Sequence, residues 1–265
     1  MIRRLPTLIT GLLLLSGCTY NMYPNQEMLM RHGPPAADLS AYRSVQERPG
    51  QDPELALTMA LSGGGARAYH FAMGVMLGLE EMGLAPGRNV LREVDYFSTV
   101  SGGGFAAGAW IAELKRDSAA SLAKAWDAHI AEAFSRSYGI PIARGYVSPK
   151  VFLTRLNAGD PLEKVIDKRV LGGNRRHTVL LGDMYLPAAD SLGRVRLPMI
   201  ASNSTVYYNM AILPFTPNVL SEYQVCGYTH RMRLYRKRTP IDPYKMPLSV
   251  GLRASGSFPI FVPPA

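Results

Sequence analysis

Two short stretches of this 265-residue chain combine residue types that do chemistry. Ser62-Gly63-Gly64-Gly65-Ala66-Arg67 follows the apolar run Leu55-Ala56-Leu57-Thr58-Met59-Ala60-Leu61. Ser98-Thr99-Val100-Ser101-Gly102-Gly103-Gly104 closes a second apolar run that begins at Val94. Each opens a long segment rich in Ala, Met and Leu, so the pattern predicts strand, tight turn and helix, twice over. Consecutive glycines leave backbone N–H groups unobstructed at a helix start, a preorganised place for a developing oxyanion. A serine on a sharp strand-to-helix bend projects its Oγ clear of the sheet, and so tight a bend requires small neighbours. The chemistry that fits is acyl transfer, with Ser101 as nucleophile, Gly102 and Gly103 forming the bend, and the amides of Gly63, Gly64 and Gly65 as oxyanion donors. The usual bend is Gly-x-Ser-x-Gly; here Thr99 takes the first position and Gly103 the last. Arg67 falls in the first turn of a helix, where a cation works against the helix dipole. That placement suits either an anionic partner or a neighbouring surface carboxylate.

Rival chemistries fit less well. Gly63-x-Gly65-x-x-Ala68 after a strand matches a loose dinucleotide fingerprint. The acidic residue expected at the end of the next strand is absent, because that strand ends in Ser98-Thr99-Val100-Ser101. A Ser-His-Asp hydrolase needs a histidine after the serine. Only His129, His177 and His230 follow it, on a helix pattern, in a basic loop and in a late loop respectively. No Cys/His spacing suggests a metal site, and no cofactor is implied.

The elements that must position these turns can be read in order. A helix is expected over 66–82 with Gly83 as its stop, a strand over 94–100, and a helix over 104–115 whose small residues allow close packing on the sheet. An amphipathic helix is expected over 118–136, with Trp126, Ile130 and Phe134 on one side. Asp160-Pro161-Leu162-Glu163 reads as N-cap, first-position proline and capping-box glutamate, and Gly172-Gly173 as the stop of that helix. Further strands are expected over 178–181 and 196–202. Strands alternating with helices predict an α/β fold with a largely parallel sheet.

The N-terminus reads as an address. Arg3 and Arg4 precede an apolar core over 5–15, too short to span a bilayer, closed by Leu15-Ser16-Gly17-Cys18. This resembles a bacterial lipobox, which implies cleavage before Cys18, lipid on that cysteine, and a lipid-anchored place in the bacterial cell envelope, at the outer membrane, facing the periplasm or the surface. The expected organisation is a leader over 1–17, a tether over 18–54 and one domain over 55–265. The formal charge of +9 comes from scattered Lys and Arg. It favours an anionic lipid surface as partner over nucleic acid, with a merely basic soluble surface as the alternative. Cys226 reads as a buried or half-buried thiol, since Cys18 belongs to the processing signal.

The glycine run with its Arg67, followed at this distance by Val100-Ser101-Gly102-Gly103, resembles the patatin-like phospholipase family. Phe215-Thr216-Pro217 and the stretch 254–264 resemble later segments of the same family. The resemblance covers residues 55–265. It implies a three-layer α/β fold, with a mostly parallel central sheet and helices on both faces. It also implies a Ser-Asp dyad acting on membrane phospholipid or another acyl-ester lipid. Carried over, Ser101 is the nucleophile, and Gly63, Gly64, Gly65 and Arg67 belong to the oxyanion site. The family's aspartate lies in an Asp-Gly pair soon after the segment matching 254–264, and no Asp-Gly pair occurs in this sequence. The expectation is therefore a patatin-like domain cut short at its C-terminus. The alternative is a non-catalytic lipid-binding or envelope protein that keeps the fold.

Overall fold

A computed structural model describes residues 51–52, 54–135, 160–172, 179–185, 197–206, 210–223, 226–228 and 238–257. In chain order they form β1 (Leu57–Leu61), α1 (Gly65–Glu81), β2 (Gly83–Ala85), β3 (Arg88–Asn89), α2 (Val90–Glu93), β4 (Val94–Thr99) and α3 (Gly102–Arg116). Then come α4 (Leu122–Ala125), a π-helical stretch (Trp126–Ile130), α5 (Ala131–Ser135), α6 (Asp160–Val165) with a second π-helical stretch (Ile166–Val170), and α7 (Gly182–Tyr185). The chain continues through β5 (Met199–Thr205), β6 (Ile212–Phe215), α8 (Pro217–Glu222), β7 (Cys226–Tyr228), β8 (Arg238–Pro240) and α9 (Leu248–Gly256).

The main sheet has the order β1-β4-β5-β6. β1 pairs in parallel with β4, Leu61 beside Thr99, and β4 in parallel with β5, Thr99 beside Ser202. β6 returns antiparallel, which places Phe215 beside Ser202. Leu61, Thr99 and Ser202 thus line one carboxyl edge, the edge at which open α/β sheets place their ligands. At that edge β1 and β4 each turn within a few residues into a helix.

Helices flank this mostly parallel sheet. α3 is buried almost all round, with Trp110 and Ile111 fully enclosed, as expected of a helix apolar on every face. Its small residues allow the close packing. A Cβ on Gly104 or Gly108 would come within 3.0 and 2.9 Å of the Leu252 side chain on α9. α9 buries Leu248, Val250 and Leu252 completely. α1 packs on α3 and buries Tyr69, Ala72, Met73 and Met76. The short helices α2, α4 and α8 carry ordinary side-chain caps, whereas α1, α3 and α9 have none. Asn89 accepts from the Arg92 amide, Ser121 from Lys124, and Thr216 from Val219, with Pro217 at the first position of α8.

Several elements differ from the sequence expectation. α1 ends at Glu81, and Gly83 is not a left-handed stop but the first residue of β2; the positive φ of 75° falls at Gly87. α3 starts two residues early, because Gly102 and Gly103 continue directly into it. Over 118–136 the helix begins only after Ser121, its capping residue, and is split by the π-helical stretch. Of the strand expected over 178–181, the described residues 179–181 make a single bridge, Leu180 to Pro247, before the chain turns into α7, and form no strand. The strand expected over 196–202 forms as β5, three residues later. Gly172, with φ 54°, does end its helix as expected. The leader and Cys18, the tether up to residue 50, His177, His230, the Cys226 side chain and the segment beyond 257 lie outside the described residues.

Two carboxylates in this framework carry stability predictions. Arg253 of α9 is fully buried, and its Nη1 lies 2.9 Å from Glu163 Oε2 on α6. Removing one member of such a pair leaves a buried charge uncompensated, at a cost of about 3 kcal/mol or more. Glu163→Gln should lower the unfolding free energy in urea by about that amount. Asp167, on the second π-helical stretch, has a buried Oδ1 with no hydrogen-bond partner among the described residues. Burial raises its pKa above the ordinary 3.8, and the nearby Lys168 opposes this less strongly. The folded state therefore holds this proton more tightly than the unfolded chain. The associated stability is present below pH 3.8 and is lost as pH rises through the raised value. Asp167→Asn should melt above the wild type at pH 7, and the gap should close in melts near the acid end.

Candidate active site

The two glycine turns meet at the carboxyl edge of the sheet. Val100 N–H donates to Leu61 O at 3.0 Å, tying the second turn to the end of β1. Ser101 follows with φ 49° and ψ −120°, a conformation that costs a residue with a side chain about 1–3 kcal/mol. The strain is held from both sides. Gly103 N–H donates to Val100 O at 3.1 Å and Gly104 N–H to Ser101 O at 2.9 Å. Ser101 N–H donates to Ser255 Oγ at 2.8 Å. Ser101 is half-buried, at the N-terminus of a buried 15-residue helix.

The first turn lies directly against this bend. A Cβ on Gly63 would sit 3.4 Å from Ser101 Cβ, and one on Gly102 only 2.1 Å from Gly65 O. A Cβ on Gly103 would lie 2.7 Å from both Leu61 O and Ser62 O. The glycines at 102 and 103 are thus demanded by backbone contact between the two turns. Gly64 and Gly65 adopt φ values of 143° and 64°, a region that suits glycine and strains other residues. Gly63, Gly64 and Gly65 are exposed, and no hydrogen bond among the described residues uses the amides of Gly63 or Gly64. Arg67 is exposed in the first turns of α1 and forms no ion pair among the described residues. The structure therefore brings Ser101, Gly102 and Gly103 together with Gly63 and Gly65, and leaves Arg67 on the solvent side of α1.

Among the described residues, nothing hydrogen-bonds to Ser101 Oγ, and several of the aspartates, with His129, are engaged elsewhere. Asp95 lies at the opposite end of β4 and accepts from the Leu57 amide at 3.0 Å. Asp183 pairs with Lys115, and Asp242 caps the turn at Tyr244. His129 Nε2 lies 2.7 Å from Glu113 Oε1, about three turns along α3 from Ser101. A surface hollow of about 530 Å³, lined by Glu80, Asn89, Arg92 and Ser121 among others, includes neither turn. Its polar groups hold the chain: Glu80 accepts from the Leu122 and Ala123 amides, and Arg92 donates to Ser118 O.

The family model for patatin-like phospholipases matches residues 59–265, which takes in both turns, the sheet and α9. The chain belongs to the patatin-like phospholipase family. Comparison with curated proteins and with solved structures gives no significant match. Membership supports lipid acyl hydrolysis as the general activity and a lipid as the class of substrate. It also accounts for the three-layer patatin fold seen here, with its mostly parallel sheet between helices.

Ser255 and Asn203 are the neighbours of this patatin-like site that sequence reasoning missed. Ser255 Oγ donates to Asn203 O at 2.6 Å, and Asn203 Nδ2 donates to Ser98 Oγ at 3.0 Å. The available signal was the Ala254-Ser255-Gly256 stretch, which resembles a later family segment but gives no hint of what its serine touches.

Proposed function

We propose that this protein is a serine lipid acyl hydrolase in which Ser101 is the nucleophile and the amides of Gly63, Gly64 and Gly65 bind the oxyanion. Ser101 Oγ attacks the ester carbonyl carbon as its proton passes to a carboxylate. By the family resemblance the base is an aspartate of the Asp-Gly type, a pair that does not occur within residues 1–265. The oxyanion of the tetrahedral intermediate accepts hydrogen bonds from the glycine amides, aided by the positive end of α3. Collapse expels the lysolipid oxygen, which takes the proton back. Water, deprotonated by the same carboxylate, then releases the fatty acid. Arg67, beside the glycine run, supplies a cation for the anionic head of the substrate or for the loop itself. The lipid anchor at Cys18 holds the domain at the envelope membrane, where its substrate resides.

One observation carries this reading: a strained serine, at the start of a buried helix, locked against a second glycine turn with exposed amides. The test is a fluorophosphonate probe on the full-length protein, with the labelled peptide mapped, alongside fatty acid release from phospholipid vesicles. Labelling at Ser101 with acyl release supports the hydrolase.

A second reading is favoured by the lack of any carboxylate or imidazole bonded to Ser101 Oγ among the described residues. It takes the protein as a lipid-binding envelope component that keeps the patatin fold. Such a protein would bind the same vesicles but neither label at Ser101 nor release acyl chains.

A further inference from the structure

The Ser255 hydroxyl stands between three parts of the fold. It accepts from the Ser101 amide at 2.8 Å and donates to Asn203 O at 2.6 Å. A serine hydroxyl has one proton. With that proton directed at Asn203, the oxygen can meet Ser101 only as an acceptor, so the direction of both bonds is fixed. Asn203 is itself anchored, because its side-chain amide donates to Ser98 Oγ on the neighbouring strand β4. The last turn of α9, the second half of β5 and the bend after β4 are therefore tied together at one oxygen atom.

We propose that Ser255 is a positioning residue for the nucleophile. Its oxygen holds the Ser101 amide in the strained conformation and so aims Oγ. It also engages that amide as a donor, which leaves oxyanion binding to the glycine turn. The neighbouring contacts show why a single hydroxyl matters. Ser101 has a positive φ that only its surroundings maintain. The bonds at Val100, Gly103 and Gly104 fix the flanking peptides, and the Ser255 bond fixes the nucleophile's own peptide. The inference rests on the reading of Ser101 as nucleophile.

The test uses the full-length protein with Ser255→Ala and Ser255→Thr. Hydrolysis of a p-nitrophenyl ester, the rate of fluorophosphonate labelling and the melting temperature are measured together. Ser255→Ala should lower kcat and the labelling rate tenfold or more in parallel, with KM within twofold and the melt within a few degrees of wild type. Ser255→Thr, which keeps the hydroxyl, should restore most of both rates. Three results would each overturn the proposal: wild-type rates in Ser255→Ala, a Thr variant as impaired as the Ala variant, or a loss that only tracks the unfolded fraction. An active Ser101→Ala protein would overturn the nucleophile reading and this one with it. An inactive Ser101→Ala beside a fully active Ser255→Ala would overturn this one alone.

Discussion

A Ser101→Ala protein, made in the full-length context, should lose acyl-ester hydrolysis by a factor of about 10⁴ or more, because covalent catalysis goes with its nucleophile. A residual rate above water would remain from the oxyanion donors, which the substitution does not touch. Fluorophosphonate labelling should vanish entirely. The loss should not be a folding defect. The serine's Oγ takes part in no hydrogen bond among the described residues, and its backbone bonds survive the change. The same position gives a second readout. A residue with a side chain at φ 49° stores about 1–3 kcal/mol of strain. Ser101→Gly, equally inactive, should therefore be at least as stable as Ser101→Ala in thermal melts. Normal esterase activity in either variant would remove Ser101 from the mechanism.

Gly102→Ala should cost both activity and fold. The added Cβ would lie 2.1 Å from Gly65 O and 3.0 Å from Gly65 C. The obstruction is backbone, so no side chain can swing away. The two turns must separate, or the start of α3 must move. Overpacking of ordinary severity costs about 1–3 kcal/mol, and a clash this close should exceed the upper end. Separation of the turns would also move the oxyanion donors away from Ser101. The contrast lies on α1, where a Cβ at Gly74 or Gly78 would meet nothing within 4 Å. Alanine there should stabilise the helix by about 0.5–1 kcal/mol. Thermal melts and probe labelling of the three variants side by side would show whether the joint between the turns, rather than glycine content, sets stability. A Gly102→Ala protein that melts and labels like wild type would refute the contact.

The two turns were legible because their signal is local. Runs of glycine after apolar runs have few other uses, and the observed β1–α1 and β4–α3 units follow directly from them. Short apolar runs without such punctuation were less informative. Val179-Leu180-Leu181 reads as a strand in sequence, yet its backbone makes only one bridge, to Pro247, before α7, while Val179 and Leu181 bury their side chains in the core. Ser118 and Ser121 are equally good caps in isolation. The choice of Ser121 depends on Glu80, which accepts from the Leu122 and Ala123 amides across 42 and 43 residues. The return of β6 antiparallel to β5 and the splitting of the helix before Ala131 likewise depend on packing that no short window contains. Ser255 is the extreme case, since its role exists only through partners far away along the chain.

The bond from Ser101 to Ser255 spans 154 residues. Local pieces of a chain form early, and contacts across long loops are closed late, because the loop entropy must be overcome first. β1, α1, β4 and α3 all lie ahead of residue 117 and can associate while the rest is still being made. The Ser255 hydroxyl that accepts from the Ser101 amide arrives only with α9. A nascent or partly folded chain would thus hold the serine and the glycine turns without the bond that fixes the Ser101 peptide. On the reading of Ser101 as nucleophile, its positioning is therefore completed only at the end of folding.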